Sequence, residues 1–331
     1  MFTSRKTKIA AIFTAGALAL AGCSSDDGGN GASGNGGSDG DSYKIGINQL
    51  VQHPALDSAT TGFKEAFEEA GVDVEFDEQN ANGEQSTALT IAQQFASADL
   101  DLVLSVATPA AQATAQNIQD TPVLFTAVTD PVSADLIDSM KEPGANVTGT
   151  SDVAPVDQQL DLLKELVPDA KKVGIVYASG EVNSQVQVDD AKKAAESRDL
   201  EIVTQTVTNV TEIPQAVQAL GDVDAFYVPT DNLVVSGIAS LVQAAEGSKT
   251  PVIAAEAGTV EGGAVATLGI DYEELGRQTG EMALRILRDG EDPATMAVET
   301  AKEFTYMVNE DAAERQGVTI PEAILNEAET V

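Results

Sequence analysis

The chain of 331 residues contains one cysteine, one histidine and no tryptophan. A single cysteine excludes disulfide bonds within the chain and excludes sites built from several thiolates. One histidine leaves no credible nucleophile–base pair, no serine lies in a strained G-x-S-x-G turn, and the sequence has no H-E-x-x-H or EF-hand motif. We therefore expect no catalytic residues, no metal site and no cofactor, and we do not expect an enzyme.

Basic residues are scarce as well. The chain has 18 Lys and Arg against 53 Asp and Glu, which gives a formal net charge of −35 at pH 7. A surface this negative is repelled by nucleic acid and by anionic lipid, so we expect no nucleic-acid partner. Beyond the N-terminal segment, no stretch is apolar enough to span a membrane, and the body of the protein is expected to be soluble.

The N-terminal segment has the features of a secretion signal. Arg5, Lys6 and Lys8 precede an apolar run over residues 9–21, and the run ends in Leu-Ala-Gly before Cys23. A spanning helix needs about 20 apolar residues, and this run is shorter. Small residues before a cysteine match a bacterial lipobox. We expect residues up to Cys23 to be a lipoprotein signal peptide, with Cys23 lipidated and the protein anchored on the extracytoplasmic face of the cell membrane.

A flexible tether is predicted over residues 24–42. The segment is rich in Gly, Ser and Asp, and it has no apolar residue larger than alanine. Such a sequence buries too little apolar surface to offset the entropy of ordering. It contains a G-x-G-x-x-G spacing, but neither a strand before it nor a helix after it, so we do not read that spacing as a phosphate-binding loop.

The remaining residues alternate short apolar strands with amphipathic helices, among them one helix predicted over Asn232–Glu246. Two series of elements resemble each other. Lys44–Ile47 recurs as Lys172–Ile175, and Thr121–Leu124 recurs as Thr250–Ile253. Alternation of this kind predicts parallel sheets with helices on both faces, and the recurrence predicts two such lobes.

Ligands of open parallel sheets lie beyond the carboxyl ends of the strands. Polar residues at those ends are the candidates for ligand contact: Gln49, His53, Asn80, Thr108, Thr126, Asp130, Tyr177, Asn183, Asp231 and Glu256. Hydroxyl, amide and carboxyl groups on two facing rims suit a small zwitterion. For Thr108, Asn183 and Asp231, helix capping is an equal alternative, and Asp130 ahead of a proline also fits a turn.

The body resembles the solute-binding proteins of ABC importers. The resemblance lies in the tryptophan/tyrosine-type ABC transporter substrate-binding family, which has the type I periplasmic-binding-protein fold. The segments that carry it are Gln49–Asp57, Ala107–Ala113, Phe125–Pro131, Asn146–Asp152, Lys172–Tyr177, Gly180–Ser184, Pro229–Asn232 and Gly269–Gly276.

This resemblance implies an α/β protein with two Rossmann-like lobes joined by three crossovers, near Thr150, Asp271 and Glu299. The N-terminal lobe would comprise residues 43–150 plus 271–298, and the C-terminal lobe residues 151–270 plus 299–331. Seven of the ligand-contact candidates would then lie at or beside the cleft between the lobes: His53, Thr108, Thr126, Asp130, Asn183, Asp231 and Glu256.

The resemblance also implies a function. The protein would be a monomer that binds a small molecule, most readily an aromatic or other apolar amino acid, and delivers it to an ABC permease. With aromatic residues at only 4%, a stacking wall would have to use Phe125, Tyr177 or Tyr227.

Three alternatives stay open at this point. One is a sugar or nucleoside ligand, and another is a sensory receptor domain of the same fold. The third is an envelope enzyme that uses a carboxylate pair such as Asp130 and Glu256.

Overall fold

The computed structural model describes residues 42–331. The predicted signal peptide, its lipidation site Cys23 and nearly all of the predicted tether lie outside these residues. Within them, no helix is both long enough and apolar enough to cross a bilayer. Ser42, which the sequence placed at the end of the tether, is the first residue of a strand.

The chain alternates strands and helices as expected. The first series is β1 (Ser42–Gln49), α1 (Pro54–Glu69), β2 (Asp73–Asn80), α2 (Gln85–Phe95), β3 (Leu102–Val106), α3 (Thr108–Asn117), β4 (Val123–Val128) and β5 (Val147–Ser151). The second is α4 (Val156–Leu166), β6 (Lys172–Ala178), α5 (Val182–Glu196), β7 (Glu201–Val207), a 3-10 helix (Val210–Glu212), α6 (Ile213–Leu220), β8 (Ala225–Val228), α7 (Asn232–Ser236), α8 (Ile238–Ser248), β9 (Val252–Ala254), α9 (Ala257–Glu261) and β10 (Ala266–Gly269). The last elements are α10 (Tyr272–Asp289), β11 (Glu299–Thr300), β12 (Thr305–Val308), α11 (Glu310–Gln316), α12 (Glu322–Leu325) and β13 (Glu329–Thr330).

These strands form two sheets. The first has the order β11-β5-β4-β3-β1-β2, and the second has the order β13-β12-β10-β9-β8-β6-β7. All pairings in the first sheet are parallel, and in the second only β12 runs antiparallel to its neighbour β10. The predicted fold class, an α/β protein with two parallel-sheet lobes, is therefore confirmed.

The central strands are short apolar runs because helices cover both faces of each sheet. All residues of β3, β4 and β8 are buried. Helix α10 shows how the sequence sets an element's limits. The Asp271 carboxylate accepts hydrogen bonds from the N–H groups of Glu273 (2.9 Å) and Glu274 (3.1 Å), and the helix ends at Gly290 with φ +72°.

The chain passes between the sheets three times, after β5, after β10 and after β11. Glu299 and Thr300 pair with Thr150 and Ser151 in the first sheet. The last crossing therefore follows Thr300, slightly later than the sequence suggested, because the polar pair Glu299-Thr300 gives no strand signal of its own.

The single helix predicted over Asn232–Glu246 is wrong. The structure has two helices, α7 and α8, which meet at Gly237. A Cβ atom at Gly237 would lie 2.7 Å from Cδ1 of Ile213 and 3.2 Å from Cβ of Val210, so glycine favours close packing of the 3-10 helix and α6 against the break.

Candidate functional site

The carboxyl ends of the two sheets face each other across a closed cleft. The hydroxyl oxygens of Thr129 in the first lobe and Thr230 in the second are 3.3 Å apart. Nε2 of Gln187 donates to both hydroxyls, at 3.4 Å to Thr129. Farther out, Nε2 of Gln85 in the first lobe donates to the Gly180 carbonyl of the second at 3.0 Å. Direct contacts therefore join the lobes.

A narrow cavity of about 10 Å³, room for about one water molecule, remains between them. Both lobes contribute to its wall, which consists of His53, Ala55, Leu56, Ala127, Asp152, Thr230, Asp231, Asn232, Val235, Glu256 and Tyr272.

Three carboxyl groups dominate the polar part of this wall. Asp231 begins helix α7: its Oδ1 accepts from the Val234 N–H at 2.8 Å and its Oδ2 from the Ala178 N–H at 2.5 Å. Glu256 begins helix α9 and accepts from the Gly258 N–H at 2.7 Å and from the Thr259 hydroxyl. Every carboxylate oxygen of these two residues thus has a donor within the protein.

The third carboxyl group, that of Asp152, is bonded on one side only. Its Oδ2 accepts a hydrogen bond from the Tyr272 hydroxyl at 2.7 Å. Its Oδ1 is buried without a hydrogen bond of good geometry among the described residues, although the Thr129 hydroxyl is close enough to the carboxyl group to lower its pKa in part. Asp152 follows β5 and Tyr272 opens α10, so the bond joins two of the places where the chain crosses between lobes.

Burial controls the ionisation of this wall. It raises the pKa of Asp152, Asp231 and Glu256, since water no longer solvates the carboxylate form. Behind Asp231, burial and the charge of Asp231 together raise the pKa of Glu181 to about 7. Neither Lys nor Arg is among the residues that line the cavity. A cationic group entering it would therefore meet no lysine or arginine of like charge.

His53 is the imidazole-bearing residue of the cavity wall. It precedes α1, and both ring nitrogens are buried without a hydrogen bond of good geometry among the described residues. Burial lowers the pKa of His53 to about 4, an effect that the nearby Asn232 side chain only partly offsets. The imidazole is thus neutral at pH 7 and can both donate and accept a hydrogen bond.

Of the predicted contact residues, His53, Asp231 and Glu256 line the cavity. Thr108 and Asn183 do not line it, but the Thr108 hydroxyl and the Asn183 Oδ1 are buried without a partner. Thr108 is in the first turn of α3, whose N-terminal N–H groups have no partners within the helix.

The other five predicted residues have structural contacts in place of a cavity position. Gln49 donates to Asp57 at 2.7 Å and accepts from Thr60 at 2.7 Å. Thr126 accepts from the Thr150 hydroxyl at 3.1 Å. The remaining three are bonded close to their own loops: Asn80 to Asn82, Asp130 to Val132 and Ser133, and Tyr177 to Gln185.

The aromatic wall differs from the expectation. Phe125 and Tyr227 are fully buried in the cores of their lobes, and Tyr177 does not line the cavity. Tyr272 lines the cavity instead. Neither Tyr272 nor Asp152 was among the residues predicted from the sequence. The position of Tyr272 directly after the helix cap Asp271 is the sequence feature that could have indicated it. Asp152 follows β5, whose sequence is rich in threonine and glycine and lacks the apolar pattern that would predict a strand.

Two residues with strained backbone conformations lie at the carboxyl ends of strands of the first sheet, next to the cleft. Ala107 has φ +82° at the end of β3, and Ala127 has φ +54° within β4. Non-glycine residues with positive φ cost energy and concentrate at binding and active sites. Ala127 lines the cavity directly.

Comparisons with known proteins agree on one family. Residues 44–331 match the model of a family described as "ABC transporter substrate binding protein". A relative from Clostridioides difficile (strain R20291), named "Tyrosine-binding protein", is 42% identical over 316 residues, which cover 93% of this chain and 91% of the relative.

Two solved structures are also similar. One is an ABC domain from Streptococcus pneumonia in complex with L-Trp, with a TM-score of 0.85 and 38% identity, covering 88% of this chain and 100% of the other. The second is the ligand-free, open structure of a substrate binding protein from Clostridium difficile, with a TM-score of 0.68 and 44% identity, covering 87% and 99%. The shape of this chain is thus closer to the complex, in keeping with its contacts across the cleft.

Proposed function

Because the chain belongs to the ABC transporter substrate binding protein family, we propose that it captures an aromatic amino acid, tyrosine or tryptophan, for an ABC permease. Proteins of this family are extracytoplasmic binding components and not enzymes, which agrees with the sequence expectation. The amino acid would bind between the lobes of a single chain, so a monomer suffices.

The lining of the closed cleft between the lobes is the observation that carries this proposal. Its carboxyl groups share the wall with hydrocarbon side chains such as Leu56 and Val235. A carboxyl-rich, cation-free wall beside an apolar one suits a ligand that has an ammonium group and an apolar side chain. A sugar offers neither, and the cavity's one aromatic ring, Tyr272, gives it a single surface to stack on.

The ligand's carboxylate needs a different partner from its ammonium group. We place it at the N-terminus of α3, where the helix dipole is positive and the Thr108 hydroxyl lacks a partner. The strained backbone of Ala107 and Ala127 frames this position. Support for an aromatic side chain comes from the two similar proteins whose names specify tyrosine binding and L-Trp.

Closure is the step that the permease would recognise. Thr230, Asp231 and Glu256 come from the second lobe, whereas His53 and Leu56 come from the first. A ligand that touches both sets binds the closed form more tightly than the open form, and so shifts the population towards closure.

We further propose that Cys23 holds the protein at the membrane through a covalent lipid. The apolar run and the Leu-Ala-Gly ahead of Cys23 support this, as does the extracytoplasmic site of the family. A Cys23→Ser variant should move from the membrane fraction to the soluble fraction, and the wild-type protein should incorporate labelled fatty acid. A wild-type protein that stays unlabelled and soluble would contradict the anchor.

Isothermal titration calorimetry tests the ligand. The non-lipidated Cys23→Ser protein should bind L-tyrosine or L-tryptophan, and bind glucose and uridine at least about 100-fold more weakly, since these lack an ammonium group. Val235→Trp should abolish binding by filling the cavity, whereas Val132→Trp, at an exposed position, should not. Tight binding of a sugar or nucleoside, with no amino acid bound, would overturn the proposal.

A further inference from the structure

Two buried carboxyl groups of the second lobe, those of Glu181 and Asp231, lie close together. Glu181 is 7% exposed and Asp231 is fully buried. Asp231 lines the cavity of the cleft, whereas Glu181 lines a larger groove of about 530 Å³ at the outer edge of the cleft. Neither Lys nor Arg is among the residues that line the cavity or the groove. The pair therefore separates the two spaces without a counter-ion from either of them.

The first lobe covers Glu181 when the cleft is closed. Its residues 82–86 line the opposite side of the groove, and there Nε2 of Gln85 donates to the carbonyl of Gly180 at 3.0 Å. When the lobes separate, this cover leaves with the first lobe, and water reaches the turn that contains Gly180 and Glu181. The surroundings of the Glu181 carboxyl group thus differ between the closed and the open form.

Glu181 holds the start of α7 through hydrogen bonds from neutral donors. Its Oε1 accepts from the Leu233 N–H at 3.1 Å, and its Oε2 accepts from the N–H and the Nδ2 of Asn232 at 3.1 and 2.6 Å. Nδ2 of Asn183 also donates to Oε2, at 3.0 Å, while Oδ1 of the same amide is buried without a partner among the described residues. A proton on the pair would have an acceptor in Asn183 Oδ1 or in the Asp231 carboxylate, and it would remove one of two unpaired buried charges.

We propose that Glu181 and Asp231 together bind one proton when the lobes close, so that closure on the ligand is linked to proton uptake from the solvent. This inference rests on the proposed function, because ligand binding is what drives closure. Glu181 is a positioning residue in it. The residue fixes the turn whose Gly180 meets Gln85 of the first lobe, and it fixes Asn232, whose side chain lies close to His53 of the first lobe.

The direction of the pH dependence follows from the closed form. Burial and the charge of Asp231 raise the pKa of Glu181 from its ordinary 4.5 to about 7. Exposure to water in the open form returns the pKa towards the ordinary value. A pKa that is higher in the closed form means that closure is fully favourable at low pH and weakens as the pH rises through 7. His53 acts in the opposite direction, since burial lowers its pKa.

Other titratable groups face Glu181 from the elements around it. They are Glu84 of the first-lobe loop, Glu212 of the 3-10 helix, Tyr177 of β6, Asp189 of α5 and, beyond Asn232, His53. The remaining charged residues Lys172, Glu201 and Lys192–Lys193 lie towards the far ends of β6, β7 and α5. Glu212 is bonded to the Thr208 N–H, and α7 itself contains no charged residue. Among all these groups, Asp231 is the one whose charge raises the pKa of Glu181.

Calorimetry of L-tyrosine or L-tryptophan binding between pH 6 and 8.5 tests the proposal. Glu181→Gln keeps the shape of the side chain and carries no charge. Across this range the wild type should lose about tenfold more affinity than Glu181→Gln. Titrations in two buffers of different ionisation enthalpy count the protons. At pH 7 the wild type should take up roughly half a proton more than Glu181→Gln, as a pKa of about 7 requires. Both proteins contain His53, so its contribution cancels.

Glu84→Gln is the matched control, since it removes an exposed carboxylate from the same groove, and it should keep the wild-type pH profile. Asp231→Asn should move the midpoint of the wild-type profile to lower pH, because a neutral side chain no longer raises the pKa of Glu181. Parallel profiles and equal proton counts for the wild type and Glu181→Gln would overturn the proposal. An unchanged midpoint in Asp231→Asn would overturn it independently, even if Glu181→Gln does not fold. If the wild type binds neither amino acid at any pH, the proposed function fails and the linkage with it, which differs from binding whose pH profile Glu181→Gln leaves unchanged.

Discussion

A neutral histidine in a carboxyl-lined cavity is an unusual combination at the scale of single residues. Nearby carboxylates would normally favour the imidazolium form. Here burial lowers the pKa of His53 to about 4, opposed only by the Asn232 side chain, while it raises the pKa of Asp152, Asp231 and Glu256. Each group is pushed towards its uncharged form, so the closed cavity can persist without an internal ion pair.

This balance predicts a pH dependence of ligand binding through His53. In the open form the exposed imidazole has an ordinary pKa near 6.5, and in the closed form the pKa is about 4. A depressed pKa means that closure is fully favourable above pH 6.5 and weakens as the pH falls towards 4. Between pH 7.5 and 5, calorimetry should show the wild type losing up to about 30-fold more affinity than His53→Gln.

Comparison with His53→Gln is needed because the carboxyl groups titrate in the same range. Both proteins contain Asp152, Asp231 and Glu256, so their contribution cancels in the difference. Parallel pH profiles for the two proteins would show that His53 does not titrate on closure.

Among elements, those with strong periodicity could be predicted from the sequence, and those set by tertiary contacts could not. Strands β3 and β4 are continuous apolar runs, and α10 has an amphipathic pattern with a cap at each end. Strand β5 has the sequence VTGTS. It forms because Gly149 lets the backbone come close to Phe125: a Cβ there would lie 2.0 Å from the Phe125 carbonyl oxygen.

The same reason explains which site residues could be found. His53, Asp231 and Glu256 follow or cap elements with clear signals, so the rule about strand ends places them. Asp152 follows the hidden strand β5, and its partner Tyr272 comes from a distant crossover 120 residues later. No local sequence pattern predicts a hydrogen bond between residues this far apart in the chain. Nor does sequence show that the Gln49 and Thr126 side chains are already bonded inside the first lobe.

At the scale of the whole molecule, few direct hydrogen bonds join the lobes among the residues that the structure describes. Thr129 meets Thr230 and Gln187 at the centre of the cleft, and Gln85 meets Gly180 at its edge. Each hydrogen bond contributes on the order of 1 kcal/mol. Contacts this few are weak enough for the lobes to separate, so a ligand in the cavity can decide the equilibrium.

Thr129→Val tests this view because it removes the central contact and keeps the shape of the side chain. Losing hydrogen bonds that exist only in the closed form should lower the closed population and weaken binding by about fivefold. The loss should be the same for L-tyrosine and L-tryptophan, since Thr129 acts on closure and not on the side chain of the ligand. Small-angle X-ray scattering should show a larger radius of gyration at partial saturation. Thr61→Val, an exposed threonine of α1 bonded only to the Asp57 carbonyl, is the matched control and should change neither quantity. A loss confined to one ligand would mean that Thr129 contacts the ligand itself, and unchanged binding would mean that the ligand alone holds the lobes together.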